Sequence, residues 1–256
     1  MSSETIASSA ARRLDPFASY HQWDRNFLLA IAATVWFGVI LGFGSDLVRH
    51  FATPHVAYPL IVHFHAVAFG GWLVVLTAQI LLMRSGRPDL HRKLGTAAIA
   101  LAAIMVVLGP ATAIAMQRAQ FGTTESDPSF LAAQLLSILA FAGLASAAFV
   151  MRGSPSAHKR LILLATFAIS DAGFARWLGG YVHAALVSGF VATLWSTYLG
   201  SEVLIAGLGA YDLVTRRRLH PAYVAGAVWL VTIQIIATLL MRDPHWKVVA
   251  MGLIGH

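Results

Sequence analysis

Cysteine is absent from the 256-residue chain, and charged residues are scarce. Without cysteine the chain cannot form disulfides, CxxC redox pairs, thiolate zinc sites, cysteine-bound iron–sulfur clusters or cysteine nucleophiles. Asp, Glu, Lys and Arg make up 11% of the residues, against about 25% in soluble globular domains. Hydrophobic residues make up 58%, and the mean hydropathy is +0.71. This composition predicts an integral membrane protein, in which histidine, carboxylate or methionine side chains would have to bind any metal.

Two further absences restrict the class of membrane protein to which the chain can belong. The first 25 residues have no apolar core and do not predict a cleavable signal peptide. The last apolar run contains no lysine, which excludes a retinal Schiff base as in microbial rhodopsins. The formal net charge of +7 does not indicate nucleic acid, because the basic residues are spread over short loops between apolar segments. The lipid bilayer is therefore the predicted partner, and nucleic acid is not.

Seven apolar runs are long enough to cross a bilayer, which takes about 20 helical residues. They predict an all-α polytopic bundle, with an amino-terminal tail over 1–26, one seven-helix domain over 27–241 and a short carboxyl-terminal tail over 242–256. Asp171 and Arg176 interrupt the fifth run, which leaves three courses open: the helix ends early, tilts, or continues through Gly179 and Gly180. The predicted spans are 27–45, 58–83, 94–116, 130–151, 161–178, 190–214 and 223–241.

Lysine and arginine are distributed unevenly between the two ends of the predicted bundle. Of the 18 basic residues, 13 fall in the amino-terminal tail and the even-numbered loops, and five fall on the other side. Positive charge accumulates in the cytoplasmic loops of membrane proteins. We therefore predict a multi-pass protein of the bacterial inner membrane, with its amino terminus in the cytoplasm and its carboxyl terminus in the periplasm.

The motif His-Phe-His opens the second span. Successive helical residues turn by about 100°, so His63 and His65 face nearly opposite sides and cannot both bind one metal ion from a regular helix. His65, Trp72 and Gln79 are spaced by seven residues and share one stripe, which we expect to face the bundle because intramembrane ionisable groups rarely face lipid. His63 is expected near the interface. A hydrogen bond across helices is the structural alternative for His65.

Four histidines form two candidate pairs of haem b ligands. At the outer end, His65 could meet His183, which comes just before the sixth span. At the inner end, His91 and His158 open the third and fifth spans at equal depth. Small residues follow His91 on its face and would let a flat porphyrin approach. Ordinary close helix packing would also explain the small residues, and contact with lipid headgroups would explain the two inner histidines. A quinone or another membrane redox protein would be the electron partner.

Carboxylates inside the predicted spans suggest a different function. Glu202 lies near the middle of the sixth span, where an ionised carboxylate costs at least about 2.5 kcal/mol, so we expect it to be protonated or paired. Asp171 and Arg176 lie five residues apart, a poor spacing for contact along one helix. These groups suggest a proton path or a substrate site through Glu202, Asp171 and His65. The corresponding function is a proton-linked transporter or channel built around Glu202, Asp171 and Arg176. Structural hydrogen bonds are the alternative.

A zinc hydrolase is a third chemical class to consider. His63, His65, His183 and Asp171 include the ligand types that zinc prefers. The seventh span contains no histidine, which separates the chain from the ceramidase-like and progestin-receptor-like membrane hydrolases that place an HxxxH motif there.

Between Val62 and Trp177 the chain resembles a family. The segments VHFHAVAFGGWLVVLTAQILLMRSGRPDLHRKLG and SPSAHKRLILLATFAISDAGFARW are similar to bacterial predicted membrane proteins of the domain-of-unknown-function 2306 type. The resemblance implies a four-helix core of the second to fifth spans with flanking helices added, and it implies no reaction. The chain is also loosely similar to four-helix haem-bearing membrane cytochromes. The matching motif positions are His65 (or His63), His91, Arg92, Gly95, His158, Arg160 and Arg176.

The sequence thus leaves three functional hypotheses. The leading one is a redox or haem-associated membrane protein that uses intramembrane histidines as ligands. The second is the proton-linked transporter or channel. The third is a non-catalytic accessory or assembly subunit, whose polar groups only hold the helices together.

Overall fold

A computed structural model describes residues 17, 18, 20–52 and 57–256. Within these residues the chain is helical, without β-strands. The helices are α1 (Asp24–Ala52), α2 (Leu60–Arg84), α3 (Pro88–Gln120), α4 (Leu131–Val150), α5 (Pro155–Ala185), α6 (Phe190–Arg216), α7 (Pro221–Met241) and α8 (Pro244–Ile254), and short 3-10 turns flank α4.

Seven of these helices, α1 to α7, are long and apolar enough to span a membrane, counted over the described residues. The predicted all-α polytopic fold is therefore confirmed, and the chain is a multi-pass membrane protein. Of the predicted courses of the fifth span, the structure shows the continuous one, since α5 runs through Gly179 and Gly180 to Ala185. The predicted carboxyl-terminal tail, 242–256, contains α8. Of the predicted amino-terminal tail, residues 1–16 and 19 lie outside the described part of the chain.

Proline fixes the start of several helices. Pro88, Pro155, Pro221 and Pro244 occupy the first turns of α3, α5, α7 and α8, where the missing N–H would have no partner inside the helix. Since each loop joins two neighbouring spans, the loops before α3, α5 and α7 meet at one end of the bundle. We name this the basic end, because it holds the arginine and lysine clusters of the chain.

Helix α5 lies at the centre of the bundle. It packs against α1, α4, α6 and α7, and its mid-section is buried over most of its surface. The α1 contact is close because glycine faces glycine: a Cβ built on Gly42 would lie 2.0 Å from the carbonyl oxygen of Gly173. The Phe174 ring of α5 fills the space above Gly200 of α6 and also reaches Gly38 of α1. Because these glycines have no side chain, α1 and α6 can pack closely against α5.

Helix α8 closes the end opposite the basic end. The indole Nε1 of Trp246 donates to the carbonyl oxygen of Ser129 (3.0 Å), and Nε of Arg118 donates to the carbonyl oxygen of Ile254 (2.7 Å). Because a C-terminal carbonyl of a helix lacks an internal partner, the Arg118 side chain completes the last turn of α8.

Candidate functional site

His91 and His158 lie together at the basic end. Each is the fourth residue of its helix, three positions after the proline that opens α3 or α5. Their imidazole rings have centroids 6.4 Å apart, and the ring planes are at 89° to each other. The same local pattern of a proline and a histidine thus brings one ring from each helix to a common point, as the loop order predicts.

The ring nitrogens of this pair are held differently. Nδ1 of His158 lies 2.8 Å from the carbonyl oxygen of Ala148 in α4. A carbonyl only accepts hydrogen bonds, so Nδ1 donates and Nε2 keeps its lone pair. The His91 ring has a backbone hydrogen-bonding partner in Gln79 of α2, whereas its Nδ1 is buried without a partner. Each ring is therefore oriented from the preceding helix and retains a nitrogen that can accept.

The distance between the rings matches metal ligation from two sides. An imidazole nitrogen binds a first-row metal at about 2.0–2.1 Å, so two imidazoles on opposite sides of one ion have centroids roughly 6 to 6.5 Å apart. The observed 6.4 Å lies in this range. If a metal-bearing group were bound at this place, His91 and His158 would be the two side chains that hold it.

Small and basic residues surround His91 on α3. Ala98 and Ala102 are buried, and a Cβ built on Gly95 would meet only the Gln79 amide, at 3.5 Å. Arg92 and Lys93 are exposed at the mouth of the bundle.

The stripe that begins at His65 faces the bundle. The His65 ring is half-buried and stacks on Phe69 (3.9 Å between centroids, 21°), and its Nδ1 is buried without a hydrogen-bond partner. Trp72 is buried and donates from Nε1 to the Thr166 hydroxyl of α5 at 3.1 Å. Gln79 continues the stripe toward His91, and its Oε1 is also buried and unpartnered.

The outer candidates are not brought together. His63 is exposed on the other side of α2 from the stripe, and His183 is exposed in the last turn of α5 rather than in the loop before α6. Among the described residues no ring contact joins His183 to His65. In the same part of the chain, no group of three or more His, Asp or Glu residues is arranged to hold a metal ion.

Asp171 lies in a buried polar cluster with Ser201 of α6 and Gln234 of α7. The backbone N–H of Ser201 donates to Asp171 Oδ1 at 3.2 Å, and Nε2 of Gln234 donates to Ser201 Oγ at 2.8 Å and more weakly to Asp171 Oδ2 at 3.4 Å. All three side chains are buried, and Glu202 beside them is half-buried. The cluster therefore joins α5, α6 and α7 inside the membrane-spanning part.

Arg176 belongs to a different region from Asp171. Its guanidinium donates to Asp46 of α1 at 3.3 Å and to the carbonyl oxygen of Ala172 at 2.6 Å, and it lies over the Phe43 ring at 4.3 Å from the centroid. The structure thus separates the arginine from the carboxylates with which the sequence analysis grouped it.

An ion cluster at the basic end contains residues that sequence reasoning missed. Asp24 accepts hydrogen bonds from Lys159 (2.6 Å), Arg216 (2.9 Å) and the Tyr211 hydroxyl (2.6 Å). A cleft of about 10 Å³ beside it has room for about one water molecule. The sequence contains one indication of this cluster, namely Asp212, which interrupts the apolar run of α6 as Glu202 does. The ion cluster consists of Asp24, Lys159, Arg160, Asp212 and Arg216.

His220 caps α7 next to this ion cluster. Its Nδ1 accepts a hydrogen bond from the backbone N–H of Ala222 at 3.0 Å. Burial lowers the pKa of His220, and the positive charge of Arg160 lowers it further. Both effects favour the neutral ring, which is the form that can accept the capping bond.

Comparison of the chain with family models, with curated proteins and with solved structures finds no match. The geometry of the described residues is therefore the basis for any assignment of function.

Proposed function

We propose that the protein binds haem b between His91 and His158 and takes part in electron transfer within the membrane. The observation that carries this proposal is the paired geometry of the two imidazoles, with centroids 6.4 Å apart at the mouths of α3 and α5. The resemblance to the 2306-type membrane proteins and to four-helix membrane cytochromes is part of the same proposal. The basic end would face the cytoplasm of a bacterium with this protein in its inner membrane.

The residues around the pair have defined tasks in this proposal. The carbonyl oxygen of Ala148 fixes the His158 tautomer and increases the basicity of the free nitrogen, as outer partners of ligating histidines do. The unpartnered Nδ1 of His91 would gain a partner on binding. The exposed side chains of Arg92 and Lys93 would neutralise the carboxylates that a b-type haem carries.

A bound haem would supply one-electron chemistry, and the chain would supply its ligands, position and electrostatic environment. The donor and acceptor of electrons would be a quinone or another membrane redox protein. His65 and His183 have no such shared geometry, so we assign the haem to the basic end alone.

The absorption spectrum of the protein, purified from haem-replete cells, tests the proposal. We expect a Soret band that sharpens on reduction with dithionite and that is lost in His91→Ala and in His158→Ala. His63→Ala is the matched control, because His63 is an exposed histidine away from the pair and its removal should leave the band unchanged. Size-exclusion elution and the helical circular-dichroism signal should be the same for all variants.

A colourless, folded wild-type protein would contradict the proposal. That outcome would favour the alternatives, a proton-linked transporter or channel or a non-catalytic accessory subunit. A Soret band that persists in both His91→Ala and His158→Ala would equally reject the pair as the ligands.

A further inference from the structure

Asp171 is a deeply buried acid far from the histidine pair. It lies 13 residues beyond His158 on α5, or about 20 Å along the helix axis, and only 4% of its surface is exposed. An ionised carboxylate at such a depth is costly unless it is paired with a cation. The Asp171 carboxylate therefore needs a proton or another cation to compensate its charge.

Neighbouring side chains do not provide a cation. In the described part of the chain, Asp171 forms no ion pair with Lys, Arg or His, and its hydrogen-bond partners are neutral. The titratable groups that act on it are Glu202 and Tyr198, both on α6. Helix α7 contributes the neutral side chain of Gln234 to this cluster. A single positive charge would neutralise Asp171.

Gln234 supplies an independent indication of what binds. This side chain is 2% exposed, and its amide oxygen Oε1 is buried without a hydrogen-bond partner. The amide nitrogen faces Ser201 and Asp171. A side-chain amide has a donor, Nε2, on one side and an acceptor, Oε1, on the other. A rotation of the Gln234 amide by about 180° would therefore replace Nε2 by Oε1 opposite the Asp171 carboxyl group.

We propose that Asp171 is an intramembrane proton-binding site, with Gln234 as the residue that adapts to the two protonation states. In the ionised state the Gln234 amide nitrogen donates to Oδ2. When a proton binds, an O–H bond forms on Oδ2, the amide turns, and Oε1 accepts from the new O–H. When the proton leaves, that O–H bond breaks and the amide returns. The backbone N–H of Ser201 donates to Oδ1 in both states.

Infrared difference spectroscopy of the full chain in lipid nanodiscs tests this site. A protonated carboxyl group has a carbonyl stretching band that a carboxylate lacks. Between acidic and alkaline buffer every protonated carboxyl group of the wild-type protein loses such a band, and we expect one of these bands to be missing from Asp171→Asn. Asp46→Asn is the matched control, since Asp46 is paired with arginines at the end of α1 and its change should leave the band in place.

Gln234→Leu keeps the test decisive if Asp171→Asn does not fold. This variant retains the acid and removes the amide acceptor, so the band should persist at a higher stretching frequency because its hydrogen bond is lost. An unchanged band in Asp171→Asn, or an unchanged frequency in Gln234→Leu, would overturn the proposal. Loss of the band on adding sodium at constant pH would also overturn it, because the site would then bind a metal cation. None of these results depends on haem.

Discussion

Arg160 of α5 and Asp212 of α6 form a two-point ion pair that is sealed inside the bundle. Nε of Arg160 donates to Oδ2 at 2.7 Å, Nη2 donates to Oδ1, and the side chains are 2% and 0% exposed. The third guanidinium nitrogen, Nη1, donates to the carbonyl oxygen of Ser156 at 2.7 Å. Every nitrogen of the guanidinium thus has a partner, as a buried charge requires.

Removal of one partner of this pair should be strongly destabilising. Asp212→Asn leaves the Arg160 charge uncompensated, and we expect a loss of about 3–5 kcal/mol in the free energy of unfolding. Denaturant-induced unfolding in detergent micelles measures it. The control is Asp89→Asn, because the Arg87–Asp89 pair is about half exposed and such pairs contribute about 0–1 kcal/mol. Equal losses for the two variants would contradict the buried-pair argument.

The glycine contact between α1 and α5 gives a second prediction. Gly42→Ala places a methyl group against the Gly173 carbonyl oxygen, and overpacking of this kind costs typically about 1–3 kcal/mol. Gly44, two residues further along α1, has open space around it, so Gly44→Ala should be neutral or slightly stabilising because alanine favours helix. The midpoint of thermal unfolding, followed by tryptophan fluorescence, compares the two. Equal midpoints would show that the contact between α1 and α5 is loose.

The α7 cap predicts a pH dependence of stability. The pKa of His220 is lowered from its ordinary 6.5 in the folded protein, so below about pH 6.5 the unfolded chain binds a proton more readily than the folded chain. The stability contribution is therefore present above pH 6.5 and is lost as the pH falls through the folded value. His220→Asn retains a capping side chain that does not titrate, and the stability difference between wild type and His220→Asn should shrink or reverse from about pH 8 to about pH 5. A constant difference over this interval would refute the titration.

The absence of native cysteine makes the orientation directly measurable. Ser85, in the loop before α3, and Thr124, in the loop before α4, are both exposed and lie at opposite ends of the bundle. A membrane-impermeant maleimide applied to intact cells should label Thr124→Cys and not Ser85→Cys, if the basic end faces the cytoplasm. Disruption of the membrane should make both accessible. The opposite labelling pattern would reverse the orientation.

Hydropathy predicted the seven spans because a run of apolar side chains is visible in the sequence alone. The ends of the spans were less accurate: the fifth span was predicted over 161–178, whereas α5 runs from Pro155 to Ala185. A hydropathy argument stops at charged residues. Here Lys159 and Arg160 are paired with aspartates of α1 and α6, so the helix continues through them.

Sequence reasoning reached the His91–His158 pair from loop order, since alternate loops meet at the same end of a bundle. It could not give the 6.4 Å between the rings, which depends on how α3 and α5 pack around α4. The ion cluster was missed for a related reason. Asp24, Lys159 and Arg216 are far apart in sequence, and their contacts follow from helix packing rather than from spacing along the chain.

The position of Asp24 also has a consequence for biosynthesis. Its partners Lys159 and Arg216 follow it by 135 and 192 residues, and a ribosome adds about 5–20 residues per second, so the complete set of partners is made about 10–40 s after the aspartate. During that interval the first span carries an acid at its end without its two cations. The contacts of Asp24 with both cations therefore form only after the sixth helix has been made, and early insertion intermediates should leave Asp24 in contact with water or with lipid headgroups.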